Sequence, residues 1–290
     1  MSPQGTRGPD VPPPGEDPPV WLDELQLKPA PSGRLHHMGL RPLGAEPIFV
    51  ADDRAGAELA LRAHLFDTRR AEVLAVLPAG EEPAVELAAF VSEHVAGALD
   101  TAFHPLEAAA RLVQEDLTIV RPAPQGHVLV AGAVCFPSGW YLREKLGRPL
   151  MGVHDPIEGY AEEIGARVER FFERLEPDRP FRRRNWFLYD DPSLFQPWDP
   201  TNEVVVTAAN AGQRVFIRSE REVMLRLSGT GAIVFTIRTQ QVRLASLRTR
   251  PDVAAAMASY LRESPEAVHR LKGVAPYLAE VLSALDEMAA

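Results

Sequence analysis

The fold class is decided by a turn and the apolar run after it, Leu227-Ser228-Gly229-Thr230-Gly231 and Ala232-Ile233-Val234-Phe235-Thr236-Ile237. β-Branched and aromatic side chains make the run typical of a strand, and the two glycines favour a turn between strands. Similar short runs, bounded by proline and glycine, lie at residues 117–120, 127–130, 203–206 and 214–217. Several are close enough in sequence to form hairpins, which favours an antiparallel sheet over alternating parallel strands and helices.

Helical periodicity surrounds these predicted strands. Apolar residues recur at three-to-four spacing between residues 54 and 116, and Pro105 is suited to open the last helix of this layer. An apolar stripe predicts a helix over 160–175, and two closing helices are expected near 252–262 and 274–287. The sequence therefore predicts an α+β fold, with an N-terminal helical layer, a sheet region over 117–240 and C-terminal helices over 251–288.

The first 45 residues differ from the rest of the chain, because they are dense in proline and poor in large apolar side chains. Such a segment buries too little surface to offset its ordering entropy unless it packs along the body. We expect residues 1–45 to form an arm and residues 46–290 to form one domain. The pair His36-His37 in the arm is interpreted as two solvent-facing polar residues, with metal binding as the alternative.

Composition excludes several classes of protein. The 290 residues are 46% hydrophobic and carry a formal net charge of −9, which indicates a globular protein and argues against nucleic-acid binding. A single cysteine, Cys135, permits neither an intrachain disulfide nor an iron–sulfur cluster held by this chain alone, and we interpret it as a small buried residue. Because no secretory signal or membrane span is visible, we expect a cytoplasmic protein with no membrane partner.

One histidine stands out as a candidate metal ligand. His154 lies in Gly152-Val153-His154-Asp155-Pro156, where an Asp-Pro pair follows a short apolar run and makes a stiff corner. On such a corner a ring nitrogen can face a cavity. Taken alone, the motif is more typical of a hydrogen-bonded packing residue than of a metal ligand.

Read together with other segments, this motif gives the chain a resemblance to a known family. The segments are Gln114-Glu115-Asp116-Leu117, Phe136-Pro137-Ser138-Gly139-Trp140, Glu144-Lys145-Leu146-Gly147, Arg184-Asn185-Trp186, Arg218-Ser219-Glu220-Arg221 and the run from Gly231 to Thr239. Over roughly residues 105–275 the chain resembles the haem-dependent oxidative N-demethylase family, also described as the dimethylamine monooxygenase haem subunit.

The resemblance implies a PAS-like antiparallel sheet that encloses haem, and an enzyme. The implied cofactor is haem b, held non-covalently because no Cys-x-x-Cys-His motif is present. The implied reaction is oxidative N-demethylation of a small secondary amine such as dimethylamine, with O₂, to a primary amine and formaldehyde. Electrons would come from a flavin and iron–sulfur reductase. Two alternatives stay open: a haem-based sensor or binding module, and a related haem amine oxidase in natural-product biosynthesis.

The resemblance also implies roles for haem-contacting residues. His154 matches the family's Ile-His-x-Pro motif, here Val153-His154-Asp155-Pro156, and would be the axial iron ligand. The cations that would neutralise the haem propionates are Lys145, Arg184, Arg218 and Arg238, with surface salt bridges as the alternative. Trp140 and Trp186 would wall the pocket or pack in the core, and Asn185 would hydrogen-bond a propionate, an oxygen ligand or a turn.

On the substrate side, the resemblance points to Glu220 and Arg221. They match the family's Arg-x-Glu-Arg-Gln pattern, except that Glu222 replaces the final glutamine. A carboxylate can hold a cationic amine or accept its proton, and a neighbouring arginine would keep that carboxylate ionised. The alternative is an Arg–Glu ion network that stabilises adjacent strands.

Overall fold

The sheet predicted from the hairpin spacing is present. The computed structural model describes residues 11–15, 17–28, 38–154, 158–197 and 205–290. The strands are β1 Arg41–Pro42, β2 Leu74–Val76, β3 Asp116–Ala123, β4 Gly126–Ala133, β5 Phe181–Tyr189, β6 Phe216–Arg226 and β7 Ile233–Arg243. They form one antiparallel sheet in the order β1-β5-β6-β7-β3-β4-β2, which confirms the prediction of an antiparallel α+β fold.

Individual strand predictions fare differently. The runs at 117–120, 127–130 and 232–237 lie in or at the start of β3, β4 and β7, whereas β5 was not predicted. The run at 214–217 was predicted too early, because residues 211–214 make a helical turn and β6 begins at Phe216. Residues 203–204, like His36 and His37, lie outside the described residues, and residues 205–207 are not in a strand.

Helices occupy both ends of the chain as the periodicity indicates. They are α1 Ala55–Val73, α2 Glu81–His94, α3 Pro105–Ala110, α4 Leu142–Lys145, α5 Leu150–Val153, α6 Ala166–Arg174, α7 Ala211–Arg214, α8 Pro251–Glu263, α9 Glu266–Leu271 and α10 Leu278–Ala289. Pro105 opens α3 as predicted, since its missing N–H needs no partner in the first turn. None of the helices described here is both long and apolar enough to cross a membrane.

Alternation along β6 gives the sheet two differently covered faces. On one face Ile217 packs in a core with residues of α8 and α10, such as Met257 and Leu285, and we call this the α8 face. On the other face Met224 packs with Phe172 of α6 and with Leu150 of α5, which we call the α6 face. Every side chain on β6 therefore faces one of two distinct environments.

Candidate active site

A buried polar cluster forms on the α6 face because two neighbouring strands place charged residues opposite each other. In the β5–β6 register, Arg183 is paired with Glu222 and Asn185 with Glu220. Arg218 lies two residues before Glu220 and therefore on the same face. Buried charged residues require partners, so the contacts within this cluster define what it can do.

Glu220 is buried and is held through a relay of two donors. The Ser138 hydroxyl donates to Glu220 Oε1 at 2.7 Å, and Arg218 Nε donates to the Ser138 oxygen at 2.9 Å. Burial raises the pKa of Glu220, while Ser138 and Arg218 act in the opposite direction. The carboxylate is thus oriented by Ser138 and electrostatically supported by Arg218.

Arg218 itself is committed to the backbone. Its guanidinium donates to the carbonyl oxygens of Phe136, Pro137, Ser193 and Leu194 at 2.9–3.2 Å. Burial lowers the pKa of this fully buried guanidinium. These bonds fix the two loops that surround Ser138, so the geometry gives Arg218 a positioning role.

Glu222 is the second buried carboxylate of the cluster. Arg183 Nε lies 2.8 Å from Glu222 Oε2, and Glu222 is nearly inaccessible to solvent. Burial raises the pKa of Glu222 to about 7; Arg183 opposes this shift, and the negative charge of Glu220 adds to it. A carboxylate with this pKa exchanges a proton at neutral pH, which is the property of a general acid or base.

Lys272, which sequence reasoning missed, closes the cluster at the edge of β5. Its Nζ donates to Asn185 Oδ1 and to the Trp186 carbonyl oxygen, both at 3.0 Å. Burial, followed by the nearby Arg183, lowers the pKa of Lys272 to about 7. Asn185 is therefore engaged by Lys272 within the protein, and no motif near residue 272 pointed to this contact.

His154 follows helix α5 and is hydrogen-bonded back to the first turn of that helix. Its Nδ1 lies 2.8 Å from the Leu150 carbonyl oxygen, and since a carbonyl oxygen only accepts, Nδ1 is the donor in this hydrogen bond. The imidazole stacks on the Tyr160 ring with centroids 4.1 Å apart and planes 10° apart. Residues 155–157 of the predicted corner lie outside the described residues.

The surroundings of His154 connect it to the polar cluster. Tyr160, on which the imidazole stacks, is buried, and its pKa is raised to about 12 by burial, with further influence from Arg183 and Glu222. Lys145 Nζ donates to the Val153 carbonyl oxygen at 2.5 Å. Trp140 and Val153 pack against one small apolar cluster around Leu142. His154, Tyr160 and the two carboxylates therefore belong to the same side of the sheet.

The His154 imidazole is a candidate donor for a haem iron. A histidine that binds a metal commonly donates through one ring nitrogen to a backbone carbonyl, and the Nδ1 of His154 makes such a hydrogen bond. Lys145 and Arg183 supply positive charge on the same side of the sheet. Within the described residues, no three histidine, cysteine, aspartate or glutamate side chains come together as a metal site.

Four of the sequence-predicted site residues lie instead on the α8 face. Trp186 is packed in the apolar core there, with its indole N–H donating to Gln26. The three arginines bind acidic or backbone groups of the N-terminal region: Arg184 to Glu24 at 2.8 Å, Arg221 to the carbonyls of Pro47 and Ile48 at 2.7 and 3.0 Å, and Arg238 to Asp52 and Glu58 at 2.6 and 2.9 Å. The structure does not bring them together with Glu220.

The basic residue that supports Glu220 is therefore not Arg221, as expected, but Arg218. Arg221 follows Glu220 in sequence but faces away from it, because successive side chains on a strand alternate. Arg218 supports Glu220 through Ser138 instead. Arg183 and Tyr160 were also missed; alternation along β5 would have found Arg183 had that strand been recognised.

Cys135 is buried as expected, and burial raises the pKa of its thiol to about 12, so it stays protonated.

The candidate site as a whole lies inside a region shared with known proteins. Residues 94–282, more than half of the chain, match the family described as haem-dependent oxidative N-demethylase, alpha subunit-like. The matched region contains His154, Ser138, Glu220 and Lys272. The chain therefore belongs to this haem-dependent oxidative N-demethylase alpha subunit-like family.

Proposed function

We propose that the protein is a haem b-dependent monooxygenase that removes a methyl group from a small secondary amine such as dimethylamine. The observation that carries the proposal is the placement of His154, whose Nδ1 is held by the Leu150 carbonyl oxygen, on the same side of the sheet as the buried Glu220 and Glu222. A binding module would not need two buried carboxylates there. Family membership supports the reaction type.

In this proposal the His154 imidazole would hold the haem iron, and Lys145 and Arg183 would neutralise the propionates. When bound, the haem supplies the activation of O₂. The haem would be bound non-covalently, because covalent attachment through a Cys-x-x-Cys-His motif needs two cysteines and the chain has one. Trp140 and Tyr160 present aromatic surface that limits water at the site. Arg184, Trp186, Arg221 and Arg238 are not part of the proposed site, because they lie on the α8 face.

The two carboxylates have different roles toward the amine substrate. Glu220, fixed by Ser138, accepts a hydrogen bond from the amine N–H and orients its methyl group. Glu222 takes up a proton from the ammonium form, which its pKa of about 7 permits at neutral pH. Hydroxylation of the methyl carbon gives a carbinolamine. Loss of its hydroxyl proton to a carboxylate and return of a proton to nitrogen then release formaldehyde and the primary amine.

The overall balance shows why a partner is required. One amine, one O₂, two electrons and two protons give a primary amine, formaldehyde and water. The two electrons come from outside this chain, because a single cysteine holds no iron–sulfur cluster. We therefore propose a flavin and iron–sulfur reductase as the donor.

The test is formaldehyde production from dimethylamine, with O₂ and a reductant, by the wild type and by Glu220→Gln. We expect Glu220→Gln to keep its haem and to lose on the order of 10²-fold in kcat/KM, since the neutral amide neither holds a cation nor takes a proton. Glu263→Gln, at an exposed position at the end of α8, is the control. Unchanged turnover in Glu220→Gln, or no formaldehyde from the haem-loaded wild type, would overturn the proposal.

A further inference from the structure

An open groove of about 650 Å³ lies between α6 and the start of β5. Its apolar lining comes from Leu40, Phe171, Leu175 and Phe181, and the Phe171 and Phe181 rings meet edge to face at 5.2 Å. Its charged lining is Arg167, Arg170, Arg174, Arg179 and Glu176. An apolar centre with a rim rich in arginine is the composition of a protein-binding surface.

Three of these arginines have no polar partner among the residues that the structure describes. Arg179 pairs with Glu176 at 3.1 Å. Arg167, Arg170 and Arg174 are exposed and make no hydrogen bond or ion pair with any residue in the described parts of the chain. The protein as a whole carries a net charge of −9, so this groove reverses the prevailing sign locally. A positive groove on a negative protein selects an acidic partner and speeds the encounter with it.

The groove adjoins the candidate active site. Leu150 packs against the same apolar cluster as Phe171 and Phe181. The carbonyl oxygen of that same Leu150 accepts the hydrogen bond from His154 Nδ1. One packed layer of side chains thus connects the groove to the histidine proposed as axial ligand.

We propose that this groove is the docking surface of the electron donor, an acidic redox protein whose own apolar contact residues fit between the arginines. This inference rests on the proposed function, which requires two electrons that the chain cannot store in an iron–sulfur cluster. Acidic groups of the donor pair with Arg167, Arg170 and Arg174, and the shared apolar layer brings the donor close to the buried side of His154. The dependence on charge makes the interaction weaken as salt rises.

The test measures binding of an acidic plant-type [2Fe–2S] ferredoxin to haem-loaded protein by titration calorimetry at low and at high ionic strength. We expect the variant Arg167→Glu/Arg170→Glu/Arg174→Glu to bind on the order of tenfold to a hundredfold more weakly at low ionic strength. The matched control is Arg248→Glu, an exposed arginine in the short helix Leu244–Thr249 that packs against α8 and α10. It should bind like the wild type. The triple glutamine variant at the same positions should lie in between, and it replaces the glutamate variant should that protein fail to fold.

Several results would overturn the inference: no ferredoxin binding by the wild type, equal binding by the triple variant, equal loss in Arg248→Glu, or tighter binding of phosphatidylglycerol vesicles than of ferredoxin. Haem content and reduction by dithionite are measured in parallel. If haem loading and formaldehyde production are normal while the triple variant binds ferredoxin as tightly as the wild type, the docking surface is wrong and the proposed function stands. If ferredoxin binds through the arginines but no haem is taken up, the proposed function is wrong.

Discussion

Burial moves the pKa values of Glu222 and Lys272 toward each other, and the two residues together set a pH dependence of stability. The pKa of Glu222 rises from 4.5 to about 7, and that of Lys272 falls from 10.5 to about 7. Both shifts arise mainly from burial, since taking a charge out of water favours the neutral form. Arg183 and Glu220, which lie in the same cluster, modify these shifts.

The direction of the pH effect follows from proton binding. Between pH 4.5 and about 7 the folded protein keeps the Glu222 proton that the unfolded chain releases, so this residue's contribution to stability falls as pH rises. Between about 7 and 10.5 the unfolded chain keeps the Lys272 proton that the folded protein has lost, so stability rises again. The pair therefore produces a minimum in the free energy of unfolding near neutral pH.

We predict that Glu222→Gln removes the fall in the free energy of unfolding between pH 4.5 and about 7. The difference in unfolding free energy between wild type and variant should change by at most about 1.4 kcal/mol per pH unit in that window. Denaturant titrations at a series of pH values measure it, and Lys272→Met is the matched control that should remove the rise in stability above about pH 7 while a fall in stability at lower pH remains. Parallel curves for the wild type and Glu222→Gln across the acidic window would contradict the assigned pKa.

At the scale of elements, the ion pairs of the α8 face attach helix α1 to strand β7. Arg238 is fully buried and binds Glu58, which is 2% exposed, and Asp52, which lies just before the helix. We predict that Arg238→Met destabilises the protein by about 1–3 kcal/mol, because the buried Glu58 carboxylate loses its fully buried cationic partner while Arg54 and Gln114 still bind it. Haem uptake by the folded fraction should be unchanged, since this arginine faces away from His154.

Denaturant unfolding measures the loss of stability. Arg69→Met serves as control, because its pair with Glu72 is partly exposed at 3.4 Å and such pairs contribute about 1 kcal/mol or less. An Arg238→Met variant that is as stable as the wild type but lacks haem would contradict this prediction and would indicate that Arg238 contacts the cofactor.

The difference between predicted and observed elements has a physical cause in β5. Apolar runs reveal β3, β4 and β7, because their side chains pack in apolar cores. β5 begins Phe181-Arg182-Arg183-Arg184-Asn185, and both of its faces carry buried ions, so the usual alternation of apolar and polar residues is hidden. Once a strand is missed, the register that pairs Arg183 with Glu222 is lost as well.

The candidate site, like the sheet, could be predicted only in part from the sequence. Glu220 and His154 lie in matched motifs and belong to one side of the sheet, as expected of a common site. Arg221 and Arg238 also lie in matched motifs, yet only the strand register shows that they face the opposite side. Lys272 comes to Asn185 from 87 positions along the chain, a contact that no local pattern contains.

At the scale of the whole molecule, the sheet separates two kinds of buried charge. On the α8 face, arginines bind acidic residues of the N-terminal region and stabilise the fold. On the α6 face lie two carboxylates with raised pKa values and His154, which stacks on Tyr160. Family membership and this separation together support an oxidase whose chemistry occurs on one side of the sheet.

The central claim is that His154 holds the iron, and the absorption spectrum of protein produced with a haem precursor tests it most directly. The account predicts one haem per chain in the wild type and in His64→Ala, a histidine of α1, and loss of the haem Soret band in a folded His154→Ala variant. Equal, stoichiometric haem in the wild type and in His154→Ala would contradict it.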